Sequence, residues 1–312
     1  MIKARRRSKT DRTDHSQSRE IAGSGHIPPV SRRDQARELY FRLGLLLAVS
    51  IGLVVLLVLV VDVVKAGASE LSMEFLTSFP SAFPQNAGIE SAITGTLWLM
   101  LICAVFVIPV GIASAIYLEE YADNKRWYNR LIDVNLQNLA AVPSIVYGIL
   151  GLAFLVRGRL ALGPVLLAGG LTLALLVLPI VVIASREAIR AVPSSIREGA
   201  LALGATQWQT IRRQVLPASI PGIATGTILA LSRAIGETAP LIMIGAATYV
   251  AFNPTGLDSG FTALPMQIFS WLSSPQAAFQ ALAAAAIIVL LVILLAMNSI
   301  AITLRNKYER KW

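Results

Sequence analysis

The chain has 312 residues, of which 55% are hydrophobic and 14% are charged, and its mean hydropathy is +0.66. Soluble domains carry about 25% charged residues. Because the deficit is concentrated in long uncharged runs, the composition excludes an ordinary water-soluble domain. The net charge of +9 would suit a nucleic acid, but eleven of the 27 basic residues lie within residues 1–42, so no nucleic-acid partner is expected.

The sequence contains few of the cysteine and histidine residues that form disulfides or bind metals. Cys103 is the sole cysteine and lies inside an apolar run, so no intrachain disulfide can form. The two histidines, His15 and His26, both fall in the polar N-terminal stretch. We therefore expect neither a metal site nor a cofactor bound by this chain.

Residues 1–42 combine the eleven basic residues with five acidic ones and show almost no apolar periodicity. This composition predicts a disordered segment. The segment is too long and too polar for a cleaved signal peptide. We interpret it as a basic cytoplasmic leader that anchors the topology; contact with anionic lipid headgroups is the alternative.

Six apolar runs follow, each long enough for a bilayer core, which needs about 20 residues of helix. Lipid offers no partner for unpaired backbone groups, and the runs lack the alternation of barrel strands, so each run is predicted to be a helix. The predicted class is an all-α integral membrane protein, with residues 43–312 forming one transmembrane domain. The helices are expected near residues 43–64, 91–118, 134–156, 160–185, 220–249 and 277–304.

The distribution of lysine and arginine among the loops predicts the orientation. With the N-terminus in the cytoplasm, the inside segments hold 23 basic residues, whereas the outside loops hold Lys65, Arg157 and Arg159. Cytoplasmic loops of membrane proteins carry the excess of basic residues. Both termini of this multi-pass chain are therefore predicted to be cytoplasmic.

Two of the outside loops, 62–90 and 250–276, are longer than a simple turn. The second loop begins with turn residues at 253–256 and continues into an apolar patch at 261–272. We interpret this patch either as a short interfacial helix or as a loop packed on the bundle.

Residues 186–217, between the fourth and fifth runs, are amphipathic rather than membrane-spanning. Ser195 and Glu198 have the spacing of a capping box at the start of a first helix. Gly204 allows a sharp turn without steric cost, and Thr206 is predicted to cap a second helix. The resulting hairpin would either present a helix to a groove on a soluble partner or lie on the membrane surface. From the residues alone both interpretations stay open.

Two charges interrupt the fifth run. Arg233 lies twelve residues beyond Pro221, which at 1.5 Å per residue places it about 18 Å into the helix. Glu237 follows four residues later and lies on the same helical face. A charge at membrane depth costs at least about 2.5 kcal/mol, so it normally faces a polar interior. The pair either ties helices together or binds a passing anion; we favour the anion, because a guanidinium fork suits an oxyanion.

The amphipathic segment carries a first family resemblance. Glu198-Gly199-Ala200, then Gly204, then Leu216-Pro217 resembles the EAA loop of ABC importer permeases, with Gly199 in place of an alanine and Gln214 in place of an isoleucine. In that family the loop forms a coupling helix that docks into a cytoplasmic ATPase subunit. The residues so assigned to ATPase coupling, together with the tryptophan near the apex, are Glu198, Gly199, Ala200, Gly204, Trp208, Leu216 and Pro217.

A second resemblance is more specific. The stretch ALSRAIGETAPL at 230–241 is similar to the R-A-I-G-E-T-A-P segment of phosphate importer permeases of the PstA type. TGTL at 94–97, IYLEEYA at 116–122, the run at 135–154 and ALPMQIFSW at 263–271 match the same family. The resemblance implies a MetI-like importer permease fold in a bacterial inner membrane. It places Arg233, Glu237 and Thr238 in the substrate pathway.

The resemblance also implies partners: a homologous PstC-like permease, two copies of a PstB-like ATPase, an external PstS-like phosphate-binding protein, and membrane lipid. The chain contains no G-x-x-x-x-G-K-[ST] motif, so ATP would be used by the partner subunit and this chain is not expected to be an enzyme. The predicted function is half of the translocation pathway of an ATP-driven phosphate importer. The alternatives are a same-fold permease for sulfate, molybdate or another oxyanion, and an ATP-independent secondary transporter.

Overall fold

A computed structural model describes residues 32–123, 125–247 and 249–308 of the chain. The regular structure of these residues is helical, and no strand occurs among them. The chain divides into two units, residues 1–59 and 60–312, and the first helix, α1 (Arg32–Gly67), crosses that boundary. Residues 1–31 of the predicted leader lie outside the described residues. Its last part differs from the prediction of disorder, because residues 32–42 form the first turns of α1.

The second unit contains eleven further α-helices among its described residues, and three of them continue into a π-helical turn. The π-helical turns are Tyr117–Tyr121 after α3, Leu152–Val156 after α5, and Ile211–Val215 between α8 and α9. The helices are α2 (Met73–Thr77), α3 (Glu90–Ile116), α4 (Trp127–Ala140), α5 (Ser144–Gly151), α6 (Leu166–Arg190), α7 (Ser194–Ala202), α8 (Gln207–Thr210), α9 (Leu216–Ile235), α10 (Ala239–Met243), α11 (Leu264–Leu272) and α12 (Ala277–Tyr308).

Five helical stretches among the described residues are long and apolar enough to cross a membrane. A sixth span results if α4 and α5, which are bent by 106° at a short break, are counted together. The five stretches are Gln35–Glu70, Glu90–Tyr121, Leu166–Arg190, Gln207–Ile235 and Ala277–Lys307. The predicted class, an all-α membrane protein with about six spans, is confirmed.

The third predicted helix, 134–156, is divided in the structure. The chain leaves the helix after Ala140 and re-enters it at Ser144. Pro143 explains the break, because proline lacks an N–H and disfavours helical geometry in the residue before it. Tyr147 is buried and spans the bend, where its hydroxyl donates a hydrogen bond to the carbonyl of Leu139 at 2.8 Å.

The fifth predicted helix, 220–249, also differs from the structure. Helix α9 begins earlier, at Leu216, and ends at Ile235, and the short helix α10 follows after residues 236–238. Gly245, at φ +85°, ends α10 in the left-handed region that glycine adopts without strain. Glu237 therefore lies in the break and not in the helix that carries Arg233. The fourth predicted helix, 160–185, is shifted along the chain to 166–190.

Helix α6 is the central helix of the second unit and packs against α3 and α9. Small residues make these contacts close: Gly111 of α3 faces Val181, and Gly226 of α9 faces Ala184. Small residues at such interfaces let helix backbones approach, which favours packing where lipid supplies no hydrophobic driving force.

The apolar patch at 261–272 forms helix α11, packed on the bundle. Leu264 and Trp271 of this helix are buried. The ring of Trp271 stacks on that of Phe279 in α12, with the ring centroids 6.2 Å apart. The segment therefore combines the two predicted alternatives, because it is a helix and is packed on the bundle.

The contact between α5 and α10 offers a test of the fold. A Cβ atom at Gly148 would lie 2.6 Å from the Cα atom of Pro240, and a backbone atom cannot yield. We expect Gly148→Val to destabilise the protein by the about 1–3 kcal/mol that overpacking costs, measured as a lower thermal unfolding midpoint in detergent. Gly52→Ala is the control, because a Cβ atom there meets nothing within 4 Å. Equal midpoints for the two variants would contradict the α5–α10 contact.

Candidate functional site

The structure brings two of the predicted pathway residues together at the break after α9. Arg233 lies in the last turn of α9, and its Nε donates a hydrogen bond to Oε1 of Glu237 at 3.2 Å. The arginine side chain is 46% exposed, whereas the glutamate side chain is 18% exposed. The arginine of this ion pair is therefore accessible from outside the chain, whereas the glutamate is mostly buried.

The guanidinium fork of Arg233 is not used by this ion pair. Among the described residues, the contact to Glu237 engages Nε, and neither terminal nitrogen has a hydrogen-bond partner. Thr238 precedes α10 without a side-chain capping bond, and its hydroxyl likewise has no partner within the described part of the chain. The four N–H groups of the two terminal nitrogens and the Thr238 hydroxyl therefore have no partner among the described residues, and together they can bind an anion with several oxygen atoms.

The surroundings of the break are the apolar centre of the bundle. Ala234 and Leu241, on either side of the break, belong to the same buried cluster as Cys103 near the middle of α3 and Val177 near the middle of α6. A partly exposed arginine at this level would be costly against lipid. We therefore expect the exposed side of Arg233 to face water or another protein chain.

The coupling hairpin, defined as residues 194–215, is the second predicted site. Gly204 forms its turn at φ +83°, where a side chain would be strained. Thr206 caps α8 with a capping box: its Oγ1 accepts from the N–H of Gln209, and the Gln209 side chain accepts from the N–H of Thr206. The predicted turn and the predicted second cap are both confirmed.

The predicted capping box at Ser195 and Glu198 is wrong. Helix α7 begins at Ser194, directly after Pro193, and has no side-chain capping bond at its start. Ser195 therefore lies inside the helix, two residues beyond the N-cap position, which Pro193 occupies. Glu198 is exposed and makes no ion pair or hydrogen bond with any residue that the structure describes.

The outer surface of the hairpin exposes three large apolar side chains among polar ones. Leu203 is 90% exposed, Trp208 54% and Leu201 50%. Exposed apolar residues grouped in this way mark an interaction surface. On the inner side, Ile211 and Val215 are buried. Val215 shares a buried cluster with Ile189 of α6 and Ile223 of α9.

The predicted coupling residues divide between these two environments. Leu216 and Pro217 are partly buried at the start of α9, not at the tip of the hairpin. Ala200 is partly buried within α7. The predicted coupling residues that lie on the exposed surface of the hairpin are Glu198, Gly199, Gly204 and Trp208.

An ion-pair network at the base of the hairpin was not predicted. Arg190 of α6 pairs with Glu119, and Arg197 of α7 pairs with Glu120. Arg186 pairs with Asp133 of α4. The sequence offers a signal in the double glutamate of IYLEEYA, but not the partners, which lie about 70 residues away. No group of three or more His, Cys, Asp or Glu in the described ranges is placed to hold a metal ion.

An all-helical membrane bundle with a half-open ion pair in its centre and an exposed apolar hairpin has the architecture of a transport permease. Residues 108–307 match the family described as binding-protein-dependent transport system inner membrane component. The chain belongs to this family. It is a membrane subunit of an ABC importer, and the family is not catalytic.

Curated relatives agree with this assignment. The probable ABC transporter permease protein YqgI of Bacillus subtilis (strain 168) is 33% identical over 203 residues, which are 65% of this chain and 68% of the relative. YqgH of the same organism is 36% identical over 180 residues, 55% of this chain and 58% of the relative. The phosphate transport system permease protein PstA of Yersinia pestis is 34% identical over 251 residues, 80% and 83% of the two chains. The predicted resemblance to PstA permeases is confirmed.

Solved structures show the same fold. A chain of a bacterial ABC transporter involved in the import of the acidic polysaccharide alginate superposes with a TM-score of 0.65 at 20% identity, covering 89% of this chain and 99% of that chain. A chain of the MetNI methionine ABC transporter in an inward-facing conformation has a TM-score of 0.57 at 15% identity, covering 71% and 96%. The predicted MetI-like fold is confirmed.

Thr206, which caps a helix of the hairpin, and Ser195, which does not, provide a matched test of the observed caps. We expect Thr206→Ala to cost about 1 kcal/mol of local stability, and so to speed amide hydrogen exchange in residues 206–210 about fivefold. Ser195→Ala removes a hydroxyl with no capping role and should leave exchange in residues 194–202 unchanged. A larger effect of Ser195→Ala than of Thr206→Ala would contradict the observed caps.

Proposed function

We propose that this chain is the PstA-like subunit of an ATP-driven phosphate importer and forms half of its translocation pathway. The observation that carries the proposal is the half-exposed Arg233, whose terminal nitrogens have no partner in the described part of the chain. Guanidinium binds phosphate oxygens in pairs with matching geometry. Among the relatives, the PstA protein of Yersinia pestis supports phosphate as the anion.

The passing anion would meet three side chains with different roles, those of Arg233, Glu237 and Thr238. The fork of Arg233 binds two phosphate oxygens, and the Thr238 hydroxyl donates to a third. Glu237 holds Nε and so fixes the orientation of the fork. Its negative charge lies beside the bound anion, which weakens retention and allows release, because like charges at short range repel.

The coupling hairpin would dock into a cytoplasmic ATPase. The hairpin exposes the apolar side chains of Leu203 and Trp208 and the carboxylate of Glu198, which has no partner among the described residues. The stretch from Gln207 to Ile235 is one span of 29 residues, about 43 Å long at the usual helical rise. A displacement of the hairpin would therefore move the whole of this helix, including Arg233 near its C-terminal end.

The proposed assembly contains a PstC-like permease, two PstB-like ATPases that bind and hydrolyse the ATP, and an external PstS-like binding protein. A structural neighbour with a TM-score of 0.63 is the alginate transporter in complex with alginate pentasaccharide-bound periplasmic protein, which supports a binding-protein partner. Residues 1–42 form the cytoplasmic leader, residues 43–312 the permease domain, and 186–217 the coupling loop. Both termini face the cytoplasm of a bacterial inner membrane.

The test of the pathway is uptake of labelled phosphate at low external phosphate. We expect Arg233→Ala to lower uptake by about 10- to 100-fold, the range set by losing hydrogen bonds to a charged group, with the complex still assembled. Arg159→Ala is the control, because that arginine is exposed in a connecting loop. Normal uptake by Arg233→Ala would contradict the role of Arg233. Equal competition by sulfate or molybdate would contradict the preference for phosphate.

The orientation can be tested with single cysteines. On a Cys103→Ala background, Ser81→Cys should react with a membrane-impermeant maleimide on intact spheroplasts, because residues 62–90 face outward. Gly199→Cys should react after permeabilisation, because the hairpin faces the cytoplasm; a Cβ atom there meets nothing within 4 Å, so the substitution fits. The opposite labelling pattern would contradict the proposed topology.

A further inference from the structure

The π-helical turn after α3 carries two adjacent carboxylates that bind different parts of the protein. Adjacent residues on a helix do not share a face, so Glu119 and Glu120 point in different directions. Glu119 accepts two hydrogen bonds from Arg190 at the end of α6, from Nε and from Nη2, each at 3.0 Å. Glu120 accepts two from Arg197 of α7, at 3.0 Å from Nε and 2.8 Å from Nη2.

Arg197 also donates hydrogen bonds to the backbone at the junction between α6 and α7. Its Nη1 donates to the carbonyl of Val192 at 2.6 Å, and its Nη2 donates to the carbonyl of Ile189 at 2.8 Å. These carbonyls belong to the end of α6 and to the non-helical residues before Pro193. A guanidinium that binds two carbonyls and a carboxylate holds the hairpin at a fixed angle to α6.

The second helix of the hairpin is tied to the same turn. Gln207, at the start of α8, donates from Nε2 to the backbone carbonyl of Glu120 at 2.6 Å. Both helices of the hairpin therefore meet Glu120, one through its carboxylate and one through its carbonyl. The Glu120 side chain is 9% exposed and the Arg197 side chain 22%, so the pair is largely withdrawn from water. Removing one member of such a pair leaves a buried charge without compensation.

The contact of Glu120 with the hairpin connects a helix that is otherwise distant from the hairpin in sequence. The hairpin is continuous with α6 through residues 191–193 and with α9 through the π-helical turn at 211–215. Helix α3 is distant in sequence and meets the hairpin through the turn at 117–121. π-Helical turns inside longer helices are frequent at functional sites. The ion pairs therefore join α3 to a hairpin that the chain already connects to α6 and α9.

We propose that Glu120 and Arg197, supported by Glu119 and Arg190, form the joint that transmits movement of the coupling hairpin to α3 and α6. The inference rests on the proposed function, because it takes the hairpin to be driven by an ATPase. These residues are positioning residues: they touch neither the substrate nor ATP. Without the joint the hairpin can still bind and stimulate the ATPase, while the bundle no longer follows it.

The test measures ATP hydrolysis and phosphate uptake on the same reconstituted full complex. We expect Glu120→Gln to lower phosphate uptake about tenfold or more while ATP hydrolysis stays within about twofold of wild type, because the contact that is lost lies between the two activities. Arg197→Lys keeps the charge but not the fork, and should fall between wild type and Glu120→Gln. Glu187→Gln is the control, since that glutamate pairs with Arg190 at the same helix end but is 63% exposed and bridges no two helices.

Two results would overturn the joint. In one, Glu120→Gln keeps the wild-type number of ATP molecules hydrolysed per phosphate. In the other, its uptake and hydrolysis fall in parallel with the amount of assembled complex, as for a simple structural contact. Failure of the wild-type complex to take up phosphate would instead contradict the proposed function. In that case the joint is tested by amide hydrogen exchange in residues 117–121. Nucleotide binding to the complex should change the exchange rates of these residues in the wild type and leave them unchanged in Glu120→Gln. Equal changes in both proteins would overturn the joint.

Discussion

Backbone N–H and C=O groups that lie within a membrane have no water to bind, so the protein itself must satisfy them. Long helices meet this constraint over most of the chain, and the two places where the helices break are covered by protein. At residues 141–143 the carbonyl of Leu139 accepts from the N–H of Val142 and from the buried Tyr147 hydroxyl. The break at residues 236–238 is flanked by members of the central apolar cluster. The short helices that follow the two breaks pack on each other through Gly148, which has no side chain to separate them.

The second break also determines what Arg233 can do. A charge is tolerated here because the surrounding elements are protein, and because Glu237 neutralises part of it at 3.2 Å. The glutamate contacts Nε, so the terminal nitrogens keep their hydrogen-bonding capacity. The same constraint that forces the break to be buried thus leaves a half-exposed arginine within the apolar centre of the bundle.

The other charged site lies at the opposite end of α9, where Glu119 and Glu120 hold the arginines of α6 and α7. The two sites are separated by an apolar helical span and are connected by its continuity. Between them, α9 packs on α6 along small residues such as Gly226, which favours rigid transmission over local yielding. The hairpin, its charged base and Arg233 are thus connected through the continuous span from Gln207 to Ile235.

The approximate number and places of the spans could be predicted from the sequence alone, because a helix within a membrane needs a long apolar run and such a run is visible locally. The Gly204 turn and the Thr206 cap were also predictable, since both depend on residues a few positions apart. The family resemblance predicted the MetI-like fold. The packing of the helices could not be predicted in this way. Apolar residues continue through the break at Pro143, and the break at 236–238 holds the single charge of Glu237 inside an otherwise apolar run, so hydropathy alone could not locate either break. The pairs of Glu119 with Arg190 and of Glu120 with Arg197 join residues 71 and 77 positions apart, and packing of α3 beside α6 and α7 brings them together.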